Sequence, residues 1–496
     1  MMFKVHDMDI STGGPLVVNI NALDAAELDL HFGDRISIKC RNKTAVAVVN
    51  ISTGDSIPRG VIGLFDEVVQ KLCVRNGAIV RCQLEERPKS LSYIHEKLFG
   101  HTLGKDKLQA IIADIVANRL SDIEITYFVA ACHLRRMTTH ETHDLTRAMI
   151  DTGEVLKLRR RIIADKHCIG GVAGNRTTML IVPICSALGV TMPKTSSRSI
   201  TSPAGTADTM EVLARVDFSL AEMRRIVEKI DACIVWGGAI NLAPADDRII
   251  RVEHPLAIDS RSQLLASIMA KKASVSATHL IVDIPIDPFG KVSSPAYAKV
   301  LKVDFVNLGR ELGIKTEVMI TDGSHPIGLG LGPQLEARDV LWVLEGDDRG
   351  PADLRQKSIR LSGALLELTG KAKRGQGQQL AEKVLSSGRA LDQMLMIIKE
   401  QHGNKPLAEK VHHARYSLEI RAKRDGMVRH INNSILSKLT RIAGSPADKG
   451  AGIYLDVKIG DRVKKGGILY TVFANNQTRL GYVENVIRAV DGVKVS

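Results

Sequence analysis

Between about residues 160 and 410, short apolar segments alternate with helical ones, and this alternation limits the possible fold more than any other feature. Strands that are apolar on both faces are typical of a parallel sheet covered by helices. The sequence therefore predicts an α/β fold with a mostly parallel sheet over residues 159–411. Its candidate strands are Arg161–Ala164, Ala232–Trp236, Leu280–Ile284 and Lys315–Ile320.

Both ends of the chain are predicted to be β-rich. Residues 1–84 contain two similar segments, Leu30–Ile38 and Val74–Cys82, each with a glycine turn before an alternating strand, which predicts a small N-terminal β-barrel. This region has no cluster of catalytic residues. We therefore expect it to assemble a homo-oligomer, a dimer or larger. Residues 412–496 are predicted to form a C-terminal β-rich domain.

Residues 85–158 have a helical period and are predicted to form a helical lobe together with part of 245–275. Thr138 and Glu141 have the spacing of a capping box, which predicts the start of one of these helices. Further along the chain, the segment from about Pro255 to Lys272 is predicted to be helical and to pack with them.

Composition and charge exclude several classes of function. No segment of the 496 residues approaches the roughly 20 apolar residues that span a bilayer, and no apolar core of a signal peptide is present. Seven scattered cysteines without a CxxC pair indicate reduced thiols, so the predicted location is the cytoplasm. The net charge of +13 is spread along the chain, and only 4% of residues are aromatic. Anionic small substrates explain this charge as well as nucleic acid does.

A glycine-rich segment, Asp165–Thr178, follows an apolar strand and precedes a helix predicted over Thr177–Leu188. Glycines let backbone N–H groups approach an anion, and the N-terminus of a helix adds partial positive charge. Lys166 would supply a full charge, and Thr177 or Thr178 a hydroxyl donor. The alternative is a tight turn between a strand and a helix.

A second polar loop, Lys194–Thr206, also follows a short strand and leads into a helix at Ala207. It contains seven hydroxyl residues and one arginine but no acidic residue. This composition favours a second anion-binding loop over a solvated Ser/Thr loop.

These loops resemble those of a known enzyme family. DKHCIGGV at 165–172 resembles the DKHSTGGV signature of the thymidine and pyrimidine nucleoside phosphorylases, and SSRSITSPAGT at 196–206 resembles their SGRGLGHTGGT segment. LLASIMAKK at 264–272 is similar to their ITASILAKK. The KTSSR-ITS-AGTAD loop and the VWGGA-NLAPADD stretch resemble the AMP phosphorylase branch of this family, as does the additional N-terminal domain.

The resemblance implies phosphorolysis of a nucleoside 5′-monophosphate: AMP and phosphate would give adenine and ribose 1,5-bisphosphate, with no cofactor and no metal. It implies that Asp259 protonates the leaving base and that His167 faces the sugar and base. Implied contacts to AMP are Gly171, Ser197, Arg198, Ser199, Ile200, Thr201, Ser202, Thr206, Ser267 and Lys291. Implied contacts to phosphate are Lys166, Thr178, Ser196 and Thr206.

Three departures from the family pattern bear on the substrate. Cys168 replaces the serine of DKHS, so one hydroxyl donor to phosphate is lost or supplied elsewhere. Val252 stands where pyrimidine enzymes have an arginine that reads a base carbonyl, and PIDPFGK at 285–291 replaces their KVGSGAF loop. The last two changes argue against a pyrimidine base.

Alternatives remain open at the level of the sequence. Asp259 could be the cap of a following helix, and Lys271 and Lys272 could be a solvated helix end. The protein could be a thymidine or pyrimidine nucleoside phosphorylase. It could also be a non-catalytic nucleotide- or RNA-binding protein that kept the fold. The intact set of Lys166, Asp259 and Lys291 favours an enzyme over a non-catalytic relative.

Overall fold

The computed structural model describes residues 1–199, 202–256, 258, 260–288, 290–404 and 407–496. The chain divides into two compact units. The first comprises Met1–Thr152 and Ala243–Ser267, and the second comprises Gly153–Leu242 and Ile268–Ser496. No helix in the described part of the chain is long and apolar enough to cross a membrane.

The first unit begins with a closed barrel. Its elements are β1 (Met2–Asp7), β2 (Val17–Asn21), α1 (Ala22–Glu27), β3 (Arg35–Cys40), β4 (Lys43–Ser52), β5 (Val61–Leu64), α2 (Asp66–Leu72) and β6 (Ile79–Leu84). The strands follow the order β1, β5, β2, β4, β3, β6 around the barrel. Side chains alternate between the two faces of a strand, and in each of β1, β2 and β6 two alternate side chains are buried in the barrel. The predicted N-terminal β-barrel is confirmed.

Four helices follow the barrel: α3 (Ser90–Leu98), α4 (Lys105–Val116), α5 (Asp122–Arg135) and α6 (Thr139–Asp151). The capping box at Thr138 and Glu141 is present as predicted, since each residue's side chain bonds the other's backbone N–H. Glu141 also accepts a hydrogen bond from Lys97 Nζ at 2.7 Å, so this cap is tied to a buried ion pair.

The second unit begins with alternating strands and helices: β7 (Ala164–Cys168), α7 (Thr178–Ser186), β8 (Met192–Ser196), α8 (Thr206–Met210), α9 (Leu220–Ile230) and β9 (Ala232–Trp236). The predicted strand over Arg161–Ala164 is wrong, because the strand begins at Ala164 and runs through the polar residues to Cys168. These polar residues can lie in a buried strand because the charge of Asp165 is neutralised inside the unit.

Two helices then replace the single helix predicted around Pro255–Lys272: α10 (Pro244–Leu256) and α11 (Arg261–Ser274). Pro255 lies in the last turn of α10, and it has no backbone N–H to donate to a helical hydrogen bond. In the first unit, α10 packs against α4 and α5. The helices near 90–150 therefore share one compact unit with α10 and with α11 as far as Ser267.

The remaining α/β elements are β10 (His279–Ile286), α12 (Pro295–Glu311), β11 (Lys315–Asp322), β12 (Gly330–Leu331), α13 (Pro333–Glu345), α14 (Ala352–Leu368), α15 (Gly377–Ser386) and α16 (Arg389–Glu400). β10 pairs in parallel with β7 on one side and β11 on the other, and β8 pairs in parallel with β9. The predicted strands at Ala232–Trp236, Leu280–Ile284 and Lys315–Ile320 are confirmed, as is the α/β fold with a mostly parallel sheet.

The C-terminal region is β-rich, as predicted. Its elements are β13 (Tyr416–Arg421), β14 (Gly426–Ile431), α17 (Asn433–Ala443), β15 (Gly452–Leu455), β16 (Arg462–Val463), β17 (Ile468–Ala474), α18 (Gln477–Ile487) and β18 (Val493–Val495). One sheet has the order β12, β15, β17, β13, and a second has the order β16, β14, β18. Leu436 and Leu439 of α17 are fully buried in the core of this region.

Candidate active site

The glycine-rich segment joins the end of β7 to the start of α7. Lys166, on β7, is only 2% exposed, and its Nζ donates a hydrogen bond to Thr177 Oγ1 at 3.0 Å. Gly174 has a φ of +70°, and a Cβ there would lie 2.1 Å from the carbonyl oxygen of Ile327. Glycine is therefore required at this position. The turn places Lys166 and the N-terminus of α7 together, which is the arrangement that an anion requires.

Asp165 lies between two buried lysines. Its carboxylate is 2.8 Å from Lys272 Nζ and 3.3 Å from Lys194 Nζ, and all three side chains are at most 5% exposed. Burial opposes ionisation of Asp165, but Lys194 and Lys272 together hold its pKa below the usual range. Burial lowers the pKa of Lys194 to about 7. The interpretation of Lys272 as a solvated helix end is wrong, because its charge is buried against Asp165.

A second buried carboxylate, Asp283 on β10, faces the position where the family motif has serine. Its Oδ2 is 3.3 Å from Cys168 Sγ and 3.0 Å from Lys357 Nζ, and its Oδ1 accepts a hydrogen bond from Thr321 at 2.6 Å. Burial, followed by the charge of Asp283, raises the pKa of the Cys168 thiol to about 11. Cys168 is therefore a neutral thiol at physiological pH.

His167 follows Lys166 on β7 and is half-buried. Burial lowers its pKa well below the usual value, and the nearby positive charges of Lys272, Lys194 and Lys166 lower the pKa further. The imidazole is therefore neutral at pH 7, so it can donate or accept one hydrogen bond without adding positive charge.

The second polar loop is held in place by Asp208 of α8. The Asp208 carboxylate accepts hydrogen bonds from the backbone N–H of Ser199 at 2.7 Å and of Gly205 at 2.8 Å. A Cβ on Gly205 would lie 2.4 Å from the carbonyl oxygen of Ser197. These contacts distinguish the segment from a solvated loop, because its backbone is fixed at Ser199 and at Gly205 to the helix that follows.

Arg198, the single arginine of this loop, is surrounded by acidic residues. Its guanidinium is 2.7 Å from Glu211, 3.3 Å from Asp208 and 3.6 Å from Asp217, and it stacks over the Trp236 ring. The loop itself has no acidic residue, and these three carboxylates follow it in the chain. Arg198 lowers the pKa of Glu211 to about 2, so this partner is ionised.

Thr206 is linked to the glycine-rich turn by an arginine that sequence reasoning did not identify. Arg176 donates to Thr206 Oγ1 at 2.9 Å and to the carbonyl oxygen of Ala204 at 2.7 Å, while its Nε lies 2.6 Å from Glu336. Arg176 therefore joins the two polar loops inside one unit.

The predicted site residues do not all fall in one unit. The second unit contains Lys291 and the described site residues that were predicted in the two polar loops. These residues are Lys166, His167, Gly171, Thr178, Ser196, Ser197, Arg198, Ser199, Ser202 and Thr206. Ser267 is half-buried on α11 in the first unit. Asp259, Ile200 and Thr201 lie outside the described residues. Val252, expected at the base pocket, is buried on α10 of the first unit.

A cavity of about 510 Å³ lies against the glycine-rich turn. Gly170, Gly171 and Lys291 line it together with one face of α17, which contributes Ser434, Lys438 and Arg441. We call this the α17 cavity. Sequence reasoning missed the α17 residues, although their spacing of three and four places them on one helical face.

Among the described residues, one group has the geometry to hold a metal ion: His140, His143 and Asp144 on α6, in the first unit. None of these residues was predicted to bind substrate or phosphate.

Comparisons with known proteins identify the family. Family models match residues 91–153 as the helical bundle domain and residues 160–269 as the a/b domain of a glycosyl transferase family, and residues 428–492 as the C-terminal domain of pyrimidine nucleoside phosphorylase. AMP phosphorylase 1 of Archaeoglobus fulgidus is 43% identical over 97% of this chain and 94% of its own. AMP phosphorylase of Pyrococcus furiosus is 42% identical over 100% of this chain and 98% of its own.

The chain belongs to the AMP and thymidine phosphorylase family. A Legionella pneumophila protein, provisionally named as a thymidine phosphorylase, is 41% identical over 92% of this chain and 87% of its own. The family resemblance read from the loop motifs is therefore confirmed. Members of this family are phosphorylases, so the prediction of an enzyme that transfers a pentosyl group is confirmed as well.

A solved structure supports the fold independently. Anthranilate phosphoribosyltransferase from Thermus thermophilus superimposes with a TM-score of 0.52 at 20% identity, covering 62% of this chain and 99% of that one. At this identity the likeness concerns the fold alone.

Proposed function

We propose that this phosphorylase cleaves AMP with inorganic phosphate to give adenine and ribose 1,5-bisphosphate. The observation that carries the proposal is the pair of polar loops that Arg176 joins, one with buried Lys166 and the other ending at Thr206. The likeness to AMP phosphorylases over almost the whole chain, including residues 1–84, supports the choice of nucleotide.

The proposed reaction uses the charges of the second unit to hold phosphate. A phosphate oxygen attacks C1′ as the bond from C1′ to the base breaks, and the electrons of that bond go to adenine. Lys166, Thr178, Ser196 and Thr206 would bind the phosphate through one cation and several hydroxyls, which leaves it charged enough to attack. The transition state has oxocarbenium character, as in glycoside hydrolysis.

The leaving base requires a proton, and Asp259 is proposed to deliver it to N7 of adenine. His167 is proposed to contact the sugar or base as a neutral imidazole, consistent with its lowered pKa. Gly171, Ser267, Lys291 and the loop over 197–202 are proposed to contact AMP. Arg198 remains a predicted AMP contact, and its three carboxylate neighbours also give it the role of fixing the loop.

The barrel over residues 1–84 is proposed to assemble the enzyme into a homo-oligomer in the cytoplasm. The described cysteines are unpaired, as expected for a reducing compartment.

Thymidine phosphorolysis is the second candidate, because relatives with that provisional name match at 41–44% identity. The decisive experiment incubates the enzyme and phosphate with AMP, CMP, UMP, adenosine and thymidine, and separates the released bases by chromatography. Phosphate-dependent release of adenine from AMP, well above release of thymine from thymidine, supports the proposal. Faster release of thymine would overturn it.

A further inference from the structure

The α17 cavity has a positive lining, of which the proposed reaction so far uses Gly171 and Lys291 but no residue of α17. Lys438 and Arg441 of α17 and Lys291 of the loop after β10 bring three cations to it. The one carboxylate among the described lining residues, Asp287, accepts a hydrogen bond from Asn433 Nδ2 at 3.2 Å. The balance of three cations against one carboxylate favours an anionic ligand.

The helix α17 presents polar groups to the cavity in a regular pattern. Ser434, Lys438 and Arg441 lie one turn apart on its exposed face, while Leu436 and Leu439 anchor the opposite face in the core. Ser434 is in the first turn, where helical N–H groups add partial positive charge. The cavity is therefore built from a rigid helix and is not a chance gathering of surface lysines.

The cavity and the proposed phosphate loop share a wall. Gly170 and Gly171 line the cavity, and they lie on the turn that directly follows β7, the strand of Lys166. Arg441 also donates a hydrogen bond to the carbonyl oxygen of Ser202 at 3.1 Å, which connects α17 to the second polar loop. A ligand in this cavity would consequently contact the glycine-rich turn directly and would reach the second polar loop only through Arg441.

The two anions of the reaction need different environments. The attacking phosphate is held by buried Lys166, whereas Lys291, Lys438 and Arg441 are exposed and can meet a group that arrives from solvent. Arg198 of the second polar loop lies within 3.6 Å of three carboxylates, and Lys449 pairs with two of them. The charge of Arg198 is therefore already balanced inside the protein, which weakens its attraction for a nucleotide phosphate.

We propose that the α17 cavity binds the 5′-phosphate of the nucleotide, with Lys438 and Arg441 as the residues that give monophosphates their advantage over nucleosides. This inference rests on the proposed function, since it concerns the substrate of the same site. The C-terminal domain would thereby determine specificity, although the reacting atoms are held by the α/β domain.

The test compares kcat/KM for AMP and for adenosine in Lys438→Ala and Arg441→Ala, each at saturating phosphate. Lys383→Ala on α15 and Arg360→Ala on α14 are matched controls, because they remove the same charges from exposed helical positions away from the cavity. Each cavity variant should lose about 10- to 150-fold in kcat/KM for AMP, with a much smaller loss for adenosine. Arg441→Lys, which keeps the charge, should retain part of the AMP preference.

Three outcomes would overturn the proposal: an unchanged AMP preference, equal losses for AMP and adenosine, or a rise confined to the KM of inorganic phosphate. Direct binding of ribose 5-phosphate, measured by calorimetry, separates this proposal from the proposed function. If the wild type binds ribose 5-phosphate through Lys438 but releases no adenine from AMP, the proposed reaction fails and the 5′-phosphate site stands. If it releases adenine while ribose 5-phosphate binding is insensitive to both α17 variants, the site fails alone.

Discussion

Asp165→Asn should destabilise the second unit strongly, because the carboxylate lies between two buried ammonium groups. The variant keeps the shape of the side chain but leaves Lys272, at 2.8 Å, and Lys194, at 3.3 Å, without their counter-charge. Each charged contact contributes about 1.5–3 kcal/mol. Breaking a buried pair on one side costs about 3–5 kcal/mol, and we expect a loss in that range at pH 7.

The loss should shrink as the pH rises. Without Asp165, burial favours the neutral form of the two lysines in the folded variant. The folded variant therefore releases protons at a pH at which the unfolded chain still binds them. The stability of the variant therefore increases up to the ordinary lysine pKa near 10.4, and its gain relative to the wild type above pH 7 comes from Lys272, because wild-type Lys194 already has a pKa of about 7. The double variant Asp165→Asn/Lys272→Met should recover part of the loss, since it removes one unpaired charge.

Urea unfolding can be followed through Trp236 and Trp342, the two tryptophans of the chain, which both lie in the second unit. Asp491→Asn is the matched control: its contact with Lys423 is also 2.8 Å, but both side chains are more than 60% exposed, so about 0.5 kcal/mol or less is expected. Equal midpoints for Asp165→Asn and wild type at pH 7, or a loss that grows toward pH 10, would refute the reasoning.

Three further predictions test other parts of the site. Asp259→Asn should lower kcat for adenine release by about 10²- to 10⁴-fold while AMP still binds, and the variant should lack the decline in rate that the wild type shows at high pH. A kcat close to that of the wild type would instead favour a helix-capping role for Asp259. Iodoacetamide at pH 8 should alkylate exposed Cys73 and leave Cys168 intact, because the pKa of Cys168 is raised to about 11. Equal labelling of the two cysteines in peptide mass spectrometry would contradict this prediction. Deletion of residues 1–84 should shrink the particle in light scattering and preserve phosphorolysis; an inactive protein of unchanged oligomeric size would contradict an assembly role.

The sequence was most informative where residues close together in the chain determine a structural element by themselves. Apolar segments at Ala232–Trp236 and Leu280–Ile284 became buried parallel strands, because side chains of that kind require cover on both faces. The strand at Ala164–Cys168 was misplaced because its residues are polar. Only the pairing of Asp165 with Lys194 and Lys272 makes them compatible with burial, and those partners come from distant segments.

The loop motifs indicated the family and the reaction class, and they placed Lys166 at the end of a strand with Thr178 and Thr206 at the starts of helices, because a turn between a strand and a helix is encoded within a few local residues. Tertiary structure decided which charges face those loops. Arg198 has no acidic neighbour within its own loop, yet the fold surrounds it with Asp208, Glu211 and Asp217. Likewise, Lys438 and Arg441 lie more than 200 residues from the loops, and only the packing of α17 brings them to Gly170 and Gly171. Electrostatic environment depends on distances in space, and a chain alone specifies only distances along its sequence.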